Sequence, residues 1–232
     1  MRGLMPPKRS TGKSGNQVSE PTGIAGSAGA EPAAVAYSIA VVGTSWGGLA
    51  ALRVIIDRLP EEYSLPIAVV QHRHRDSDAL LARFLQSHTR LRVCEVEDKQ
   101  TIEAGRVFIA PANYHLLVEE GYFSLSIEAP LRYSRPSIDV AMTTAADAYG
   151  HRAVGVVLTG ANADGAQGLR RIADRGGLAV VQDPDSAEVR TMPAAALAAV
   201  PTARVLPLDR IGPFLAAVPS LHAHHAGGVS GK

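Results

Sequence analysis

Ser45 lies on a glycine-rich turn, residues 43–48, of sequence GTSWGG. The apolar residues 37–42 before it are typical of a buried strand, and residues 49–59 after it repeat apolar side chains at helical spacing. A serine on a glycine-flanked turn between a strand and a helix matches the G-x-S-x-G nucleophile elbow, which projects the hydroxyl above the sheet beside a helix N-terminus. The pattern predicts nucleophilic chemistry at Ser45, although a serine in this place is also typical of a simple helix N-cap.

Two later side chains are of the types that activate a serine. His72 follows the second predicted strand and Asp164 follows the strongest one, and the carboxyl ends of parallel strands share one edge of a sheet. Imidazole accepts a serine proton near neutral pH, while a carboxylate fixes the imidazole tautomer and stabilises the imidazolium. The three residues predict a Ser-His-Asp triad, with His74 as a rival base and helix capping as the alternative role of Asp164.

An ester hydrolysed by such a triad passes through an oxyanion, which needs hydrogen-bond donors. The backbone N–H groups of Trp46 or Gly47, at the start of the predicted helix, are candidates for this role. A further N–H group from the loop 160–162 would complete the set. We therefore expect these donors to lie at the same edge of the sheet as the triad.

The elements that must position these residues alternate between apolar strands and amphipathic helices. Such alternation predicts an α/β fold, a doubly wound three-layer α/β/α arrangement with a mostly parallel sheet and an antiparallel hairpin insertion. The predicted strands cover 37–42, 67–70, 107–110, 154–159, 178–181 and 205–206, with hairpin strands at 114–118 and 122–127. The predicted helices cover 49–59, 78–86, 137–149 and 166–175, and another begins at Pro193.

Composition divides the chain into a folded domain and two tails. Residues 1–35 and 219–232 are of low complexity, and we expect a disordered tail and a flexible tail on either side of a catalytic domain over 36–218. Three histidines in the segment 222–225 are better explained by an untethered tail than by a metal site. The basic residues near the N-terminus are not followed by an apolar segment, so the sequence predicts neither a signal peptide nor a membrane anchor.

Charge and cysteine content narrow the class of protein further. A formal net charge of +1 over 232 residues provides no large basic surface for nucleic acid. Cys94 is the only cysteine, so no internal disulfide can form, which fits a reducing cytoplasm. We therefore expect a cytoplasmic protein that neither binds nucleic acid nor inserts into a membrane.

Two other uses of a glycine-rich turn fit this sequence less well. A dinucleotide fingerprint needs a middle glycine where Ser45 stands, and an acidic residue where the second strand ends in Gln71 and His72. An ordinary α/β-hydrolase has the chain order Ser, then Asp or Glu, then His, whereas the order here is Ser, His, Asp. Both comparisons argue against those two classes.

The motifs together resemble the catalytic domain of the chemotaxis receptor methylesterases, the protein-glutamate methylesterase family. The matching motifs occur in family order between about residues 37 and 216, at 43–48, 70–72, 105–111, His115, 135–139, 153–160 and 164–168. The resemblance implies that Ser45 is the nucleophile, that His72 is the base and that Asp164 orients it. It favours His72 over His74 because only His72 follows the valine-glutamine pair.

The resemblance also implies roles for the residues around the triad. Backbone N–H groups of Trp46, Gly47 and Ala161 would bind the oxyanion. His115 and Arg135 would line the cleft and contact substrate, although a structural role competes with substrate binding for both.

The substrate that the resemblance implies is the γ-methyl ester of glutamate on the helical cytoplasmic region of methyl-accepting chemoreceptors. Hydrolysis yields glutamate and methanol, and some members of the family also deamidate glutamine at such positions. The resemblance implies no metal and no organic cofactor.

Three departures from the family pattern bear on function. Trp46 replaces a small threonine and would narrow the cleft, stack on the substrate helix or form an exposed lid, while Ala161 replaces a methionine. No receiver domain precedes the catalytic domain, so we expect constitutive activity, a separate regulatory partner or a different sensory pathway. The alternatives to an esterase of receptors are a non-catalytic module that binds receptor or signalling helices, and a small-molecule serine esterase.

Overall fold

The computed structural model describes residues 36–73 and 80–219. The strands are β1 (Ile39–Thr44), β2 (Ile67–Gln71), β3 (Arg92–Glu95), β4 (Arg106–Ile109), β5 (His115–Glu119), β6 (Tyr122–Ser126), β7 (Ala153–Val157), β8 (Leu178–Gln182) and β9 (Arg204–Leu206). The α-helices are α1 (Gly48–Ile56), α2 (Leu80–Gln86), α3 (Ile138–Tyr149), α4 (Ala166–Asp174), α5 (Thr191–Ala199) and α6 (Leu208–Ala217).

A parallel sheet of seven strands, in the order β3-β4-β2-β1-β7-β8-β9, forms the centre of the fold. From β1 the chain extends the sheet first to one side and then, beginning with β7, to the other. In open α/β sheets, ligands bind outside the carboxyl ends of the strands that flank such a reversal. The strands β5 and β6 pair with each other as an antiparallel hairpin. The predicted doubly wound α/β fold with a hairpin insertion is confirmed.

The fold has three layers because the sheet is covered by helices on both faces, with one hydrophobic cluster on each face. Ile39 and Val41 of β1 belong to the cluster that contains the apolar faces of α3, α4 and α5. Ala40 and Val42 belong to the other cluster, with α1, α2 and α6. All six residues of β1 are buried, as expected for a central parallel strand covered on both faces.

Two of the elements, β3 and α6, do not follow from the sequence pattern. The four residues of β3 form an edge strand in which none is fully buried, so the strand has little apolar periodicity. Gly212 and Pro213 lie inside α6, where both residues normally argue against a helix. The helix α5 begins at Thr191, before the predicted Pro193, because the first turn of a helix tolerates a proline that lacks an N–H.

Several expectations concern residues outside the described ranges. They include the N-terminal tail, almost all of the C-terminal tail with its histidines, and His74. The predicted helix 78–86 is described only from Leu80 onward. In the ranges 36–73 and 80–219, no helix combines the length and apolar character needed to cross a membrane.

Gly43 allows the first turn of α3 to approach the carboxyl end of β1. A Cβ atom at Gly43 would overlap Cγ2 of Ile138, which is the first residue of α3. The absence of a side chain at Gly43 therefore places the N-terminus of α3 beside the switch point of the sheet.

We expect Gly43→Ala to lower the free energy of unfolding by about 1–3 kcal/mol, because the added methyl group overpacks the contact with Ile138. Denaturant titration of the purified variant measures this change. In an Ile138→Ala background the methyl group has room, and the cost of Gly43→Ala should fall below about 1 kcal/mol. An equal cost in both backgrounds would contradict this account of the packing.

Candidate active site

Ser45 lies between the end of β1 and the start of α1, on a turn that hydrogen bonds hold at both ends. Its N–H donates to the carbonyl of Thr159 at 3.0 Å, and its own carbonyl accepts from the N–H of Gly48 at 3.0 Å. Gly47 has a φ of 76°, in the left-handed region that glycine adopts without strain. A Cβ atom at Gly48 would lie 2.6 Å from the hydroxyl of Thr44, so the tight turn depends on its glycines.

Three backbone N–H groups near Ser45 are free to bind an anion. Among the described residues, the N–H groups of Trp46, Gly47 and Ala161 donate to no acceptor. The loop that carries Ala161 passes close to the serine, since a Cβ atom on Gly160 would lie 2.9 Å from Cβ of Ser45. Trp46 and Gly47 also precede the N-terminus of α1, which favours negative charge. The three groups are therefore candidate donors to an oxyanion.

His72 lies beside the serine turn because of the register of the sheet. Thr44 and Gln71 are directly paired in the parallel strands β1 and β2, and Ser45 and His72 are the residues that follow them. Neighbouring strands lie about 4.8 Å apart, so the two side chains emerge side by side. The N–H of His72 donates to the carbonyl of Thr44 at 3.1 Å, which extends the pairing past the end of the strand.

The imidazole of His72 is oriented by Asp164, with 2.7 Å between Nε2 and the Oδ2 atom. A carboxylate accepts only, so Nε2 carries the proton and Nδ1 is left as the basic nitrogen. Nδ1 lies 3.5 Å from Nδ2 of Asn162, at the limit of a hydrogen bond. The hydroxyl of Ser45 has no hydrogen-bond partner in the described part of the chain. Nδ1 is therefore the ring nitrogen that remains to accept a proton.

Asp164 is 1% exposed and has donors on both carboxylate oxygens. The donors are Nε2 of His72, the hydroxyl of Ser137, and the backbone N–H groups of Ile138, Asp139 and Gly165, at 2.7–3.0 Å. Burial by itself raises the pKa of Asp164, but the hydrogen bonds from His72 and from the first turn of α3 outweigh it and lower the pKa. The carboxylate is thus held in its charged form at the N-terminus of a helix.

Asp139 is a second buried carboxyl group, for which the sequence predicted no separate role. It accepts a hydrogen bond from the N–H of Gly168 at 2.8 Å, and Nη1 of Arg132 lies 3.7 Å from Oδ2. Burial raises the pKa of Asp139, and the charge of Asp164 raises it further, while the Gly168 hydrogen bond and Arg132 oppose the shift. The two carboxyl groups of the site therefore shift in opposite directions.

His115 is a buried side chain in this structure, and its predicted contact with substrate stays a prediction. It is 2% exposed, because the hairpin that begins with it packs against α3. Nδ1 accepts from the N–H of Ser137 at 3.2 Å, and Nε2 donates to the carbonyl of Ala129 at 3.2 Å. With both nitrogens in use, His115 positions the residue that caps α3.

Arg135 holds the loop beside His72. Its guanidinium donates to Oδ1 of Asn113 at 2.6 Å and to the carbonyls of Ile127 and Glu128 at 2.7 and 2.9 Å. It also lines a cleft of about 340 Å³ whose wall includes His72. Asn113 was missed because a lone asparagine after a strand carries no distinctive signal.

Trp46 is 67% exposed on the rim of the site. Its indole N–H donates to Oε1 of Glu188 at 3.1 Å, a contact that the sequence did not reveal. Within residues 36–73 and 80–219, the site included, no group of three or more His, Cys, Asp or Glu side chains is arranged to hold a metal ion.

We expect Asp164→Asn to lower the free energy of unfolding at pH 7 by at least about 2 kcal/mol, because it removes the charge that the surrounding donors stabilise. A carboxyl group whose folded pKa is lowered stabilises the protein above its ordinary pKa of about 4, and this stabilisation disappears as pH falls through the lowered value. The difference between wild type and variant should therefore shrink below about pH 4 in denaturant titrations.

Asp139→Asn is the matched control for that measurement. Because the pKa of Asp139 is raised, loss of its charge should cost less than about 1 kcal/mol at pH 7, and an asparagine oxygen can still accept from Gly168. A larger loss of stability in Asp139→Asn than in Asp164→Asn would contradict the assignment of the charges.

Comparison with known proteins places the chain in a family. The family model described as CheB methylesterase matches residues 40–215. A putative protein-glutamate methylesterase/protein-glutamine glutaminase of Leptospira interrogans is 46% identical over 176 residues, covering 75% of this chain and 91% of that protein. Protein-glutamate methylesterase FrzG of Myxococcus xanthus is 39% identical over 180 residues, and the match spans 54% of its length.

A solved structure agrees with the sequence relatives. The catalytic domain of the Thermotoga maritima CheB methylesterase superposes with a TM-score of 0.74 and 33% identity, over 78% of this chain and 98% of that domain. The sequence and fold comparisons thus coincide over the same part of the chain. The chain belongs to the CheB methylesterase family.

Proposed function

We propose that this protein is a protein-glutamate methylesterase that hydrolyses glutamate γ-methyl esters on chemoreceptors, with Ser45, His72 and Asp164 as its catalytic triad. The observation that carries the proposal is the 2.7 Å contact between His72 and the buried Asp164, one strand away from the turn of Ser45. The names of the relatives from Leptospira and Myxococcus support the substrate class.

In the first step the hydroxyl oxygen of Ser45 attacks the ester carbonyl carbon while Nδ1 of His72 accepts its proton. Asp164 stabilises the resulting imidazolium through Nε2. The carbonyl oxygen becomes an oxyanion and receives hydrogen bonds from the N–H groups of Trp46, Gly47 and Ala161. Base assistance of this kind is worth roughly 10²–10⁴-fold, and each oxyanion donor about 3 kcal/mol.

In the second step the tetrahedral intermediate expels the methoxy group, which takes the proton from His72 and leaves as methanol. Water then attacks the acyl-serine with His72 again as the base, which releases the glutamate side chain and restores Ser45. A glutamine side chain would follow the same course with ammonia as the leaving group, and the name glutaminase of one relative supports this second activity.

The proposed partner is the helical cytoplasmic region of a methyl-accepting chemoreceptor, and the proposed location is the cytoplasm. Arg135 lines the cleft that contains His72, and its positive charge would suit an acidic helix. We further propose that residues 36–218 form the catalytic unit and that neither nucleic acid nor a cofactor takes part.

Methanol release from radiomethylated chemoreceptor membranes tests the proposal. We expect Ser45→Ala to reduce release by at least about 10⁴-fold without changing the denaturation midpoint, because the acyl intermediate cannot form. Ser87→Ala is the matched control, since Ser87 is exposed at the end of α2 and bonds only to its own helix and to His88.

Three results would count against the proposal. Full activity in Ser45→Ala would exclude this serine as the nucleophile. Hydrolysis of short activated esters without release from receptors would favour a small-molecule esterase. Tight binding to receptors with no hydrolysis of either substrate would favour a non-catalytic module.

A further inference from the structure

Glu188 and Trp46 together form a rim beside the nucleophile. The Oε1 atom of Glu188 accepts the indole N–H of Trp46 at 3.1 Å, while the ring itself is 67% exposed. Trp46 directly follows Ser45, and consecutive Cα atoms lie about 3.8 Å apart. A substrate bound to Ser45 therefore passes close to both side chains.

The carboxylate of Glu188 lies over the serine turn. A Cβ atom built on Gly47 would lie 2.6 Å from Oε2 of Glu188 and 2.9 Å from its Cβ. The side chain of Glu188 thus occupies the space above Gly47, two residues from Ser45. Its second carboxylate oxygen remains available to a ligand, because Oε2 has no hydrogen-bond partner in residues 36–73 and 80–219.

The backbone around Glu188 is held firmly against the site. The N–H of Val189 donates to the hydroxyl of Thr159 at 2.9 Å, and its carbonyl accepts from the N–H of Gly160 at 3.1 Å. The hydroxyl of Thr159 also lies 2.9 Å from the carbonyl of Trp46. The rim and the serine turn are therefore joined through Thr159, and the carboxylate is pre-positioned.

The negative charge of Glu188 has no compensating cation in the described part of the chain. Arg190, two residues later, lies 3.4 Å from Asp185 instead. A carboxylate beside the exposed face of an indole is the chemical complement of an ammonium or guanidinium group, which gains both an ion pair and a cation–π contact. The same rim repels a carboxylate.

We propose that Glu188 and Trp46 determine substrate specificity by receiving a lysine or arginine side chain of the substrate helix, one turn away from the methylated glutamate. This inference rests on the proposed esterase function. Residues four apart lie on the same face of a helix, separated by about one turn of 5.4 Å, and Trp46 of the rim directly follows Ser45 in the chain.

Receptor variants in membrane vesicles provide the test. One methylation site is flanked, four residues before or after it, by Lys, Gln or Glu, and methanol release is measured as kcat/KM. We expect wild type to prefer Lys over Glu by about five- to tenfold in one of the two flanking positions, consistent with one exposed ion pair and one cation–π contact. The preference should decrease with added salt.

Glu188→Gln should reduce the preference to less than about twofold, because glutamine keeps an acceptor for the Trp46 indole but has no charge. Glu62→Gln removes the same charge at an exposed position in the loop between α1 and β2, and should leave the preference unchanged.

Equal rates on the Lys- and Glu-flanked receptors with wild type, or an undiminished preference in Glu188→Gln, would overturn the inference and leave the proposed esterase intact. A preference lost in Glu62→Gln as well would also overturn it, because net charge alone would then explain the result. No release from any of the receptors, including the Gln-flanked one, would overturn both the esterase function and the specificity that depends on it.

Discussion

Five hydrogen-bond donors converge on the buried carboxylate of Asp164, and the geometry of the site depends on them. The first turn of α3 supplies two backbone N–H groups and, through its N-cap Ser137, a hydroxyl. His115 in turn holds the backbone of Ser137. The result is a charged group fixed in the interior, against which a single nitrogen of His72 is oriented. An uncompensated charge in this position would be costly, so the donors and the carboxylate stabilise one another.

The topology of the sheet brings this carboxylate close to Ser45, the proposed nucleophile. β1 and β7 are neighbours at the point where the strand order reverses, so the loops that carry Ser45 and Asp164 lie next to each other. Because Gly43 has no side chain, the N-terminus of α3 can pack close to the end of β1 on one face of the sheet. Gly160 brings the loop of Ala161 against the serine. The proposed oxyanion donors and the proposed triad thus lie close together because small residues occur where the backbone segments are closest.

The residues after β1, β2 and β7 could be predicted because central parallel strands, buried on both faces, give continuous apolar runs. The partners of Asp164 could not. The sequence predicts a helix beginning at Ser137. No local pattern predicts that the first turn of this helix contacts Asp164, which lies 27 residues later than Ser137 in the chain. His115 follows a turn after a strand, a position from which a side chain could line the cleft. In the structure the hairpin packs on α3, and this packing buries His115. Glu188 lies on an exposed loop, where neither periodicity nor propensity marks a contact with Trp46.

Covalent trapping tests the central claim, that Ser45 is the nucleophile activated by His72 and Asp164, most directly. A fluorophosphonate ester phosphonylates an activated serine with loss of fluoride, and mass spectrometry of proteolytic peptides locates the adduct. The account predicts one adduct, on Ser45, that forms in step with loss of methylesterase activity and forms far more slowly in His72→Ala. Complete labelling of Ser45 with hydrolysis undiminished, or loss of activity through labelling at another residue, would contradict it.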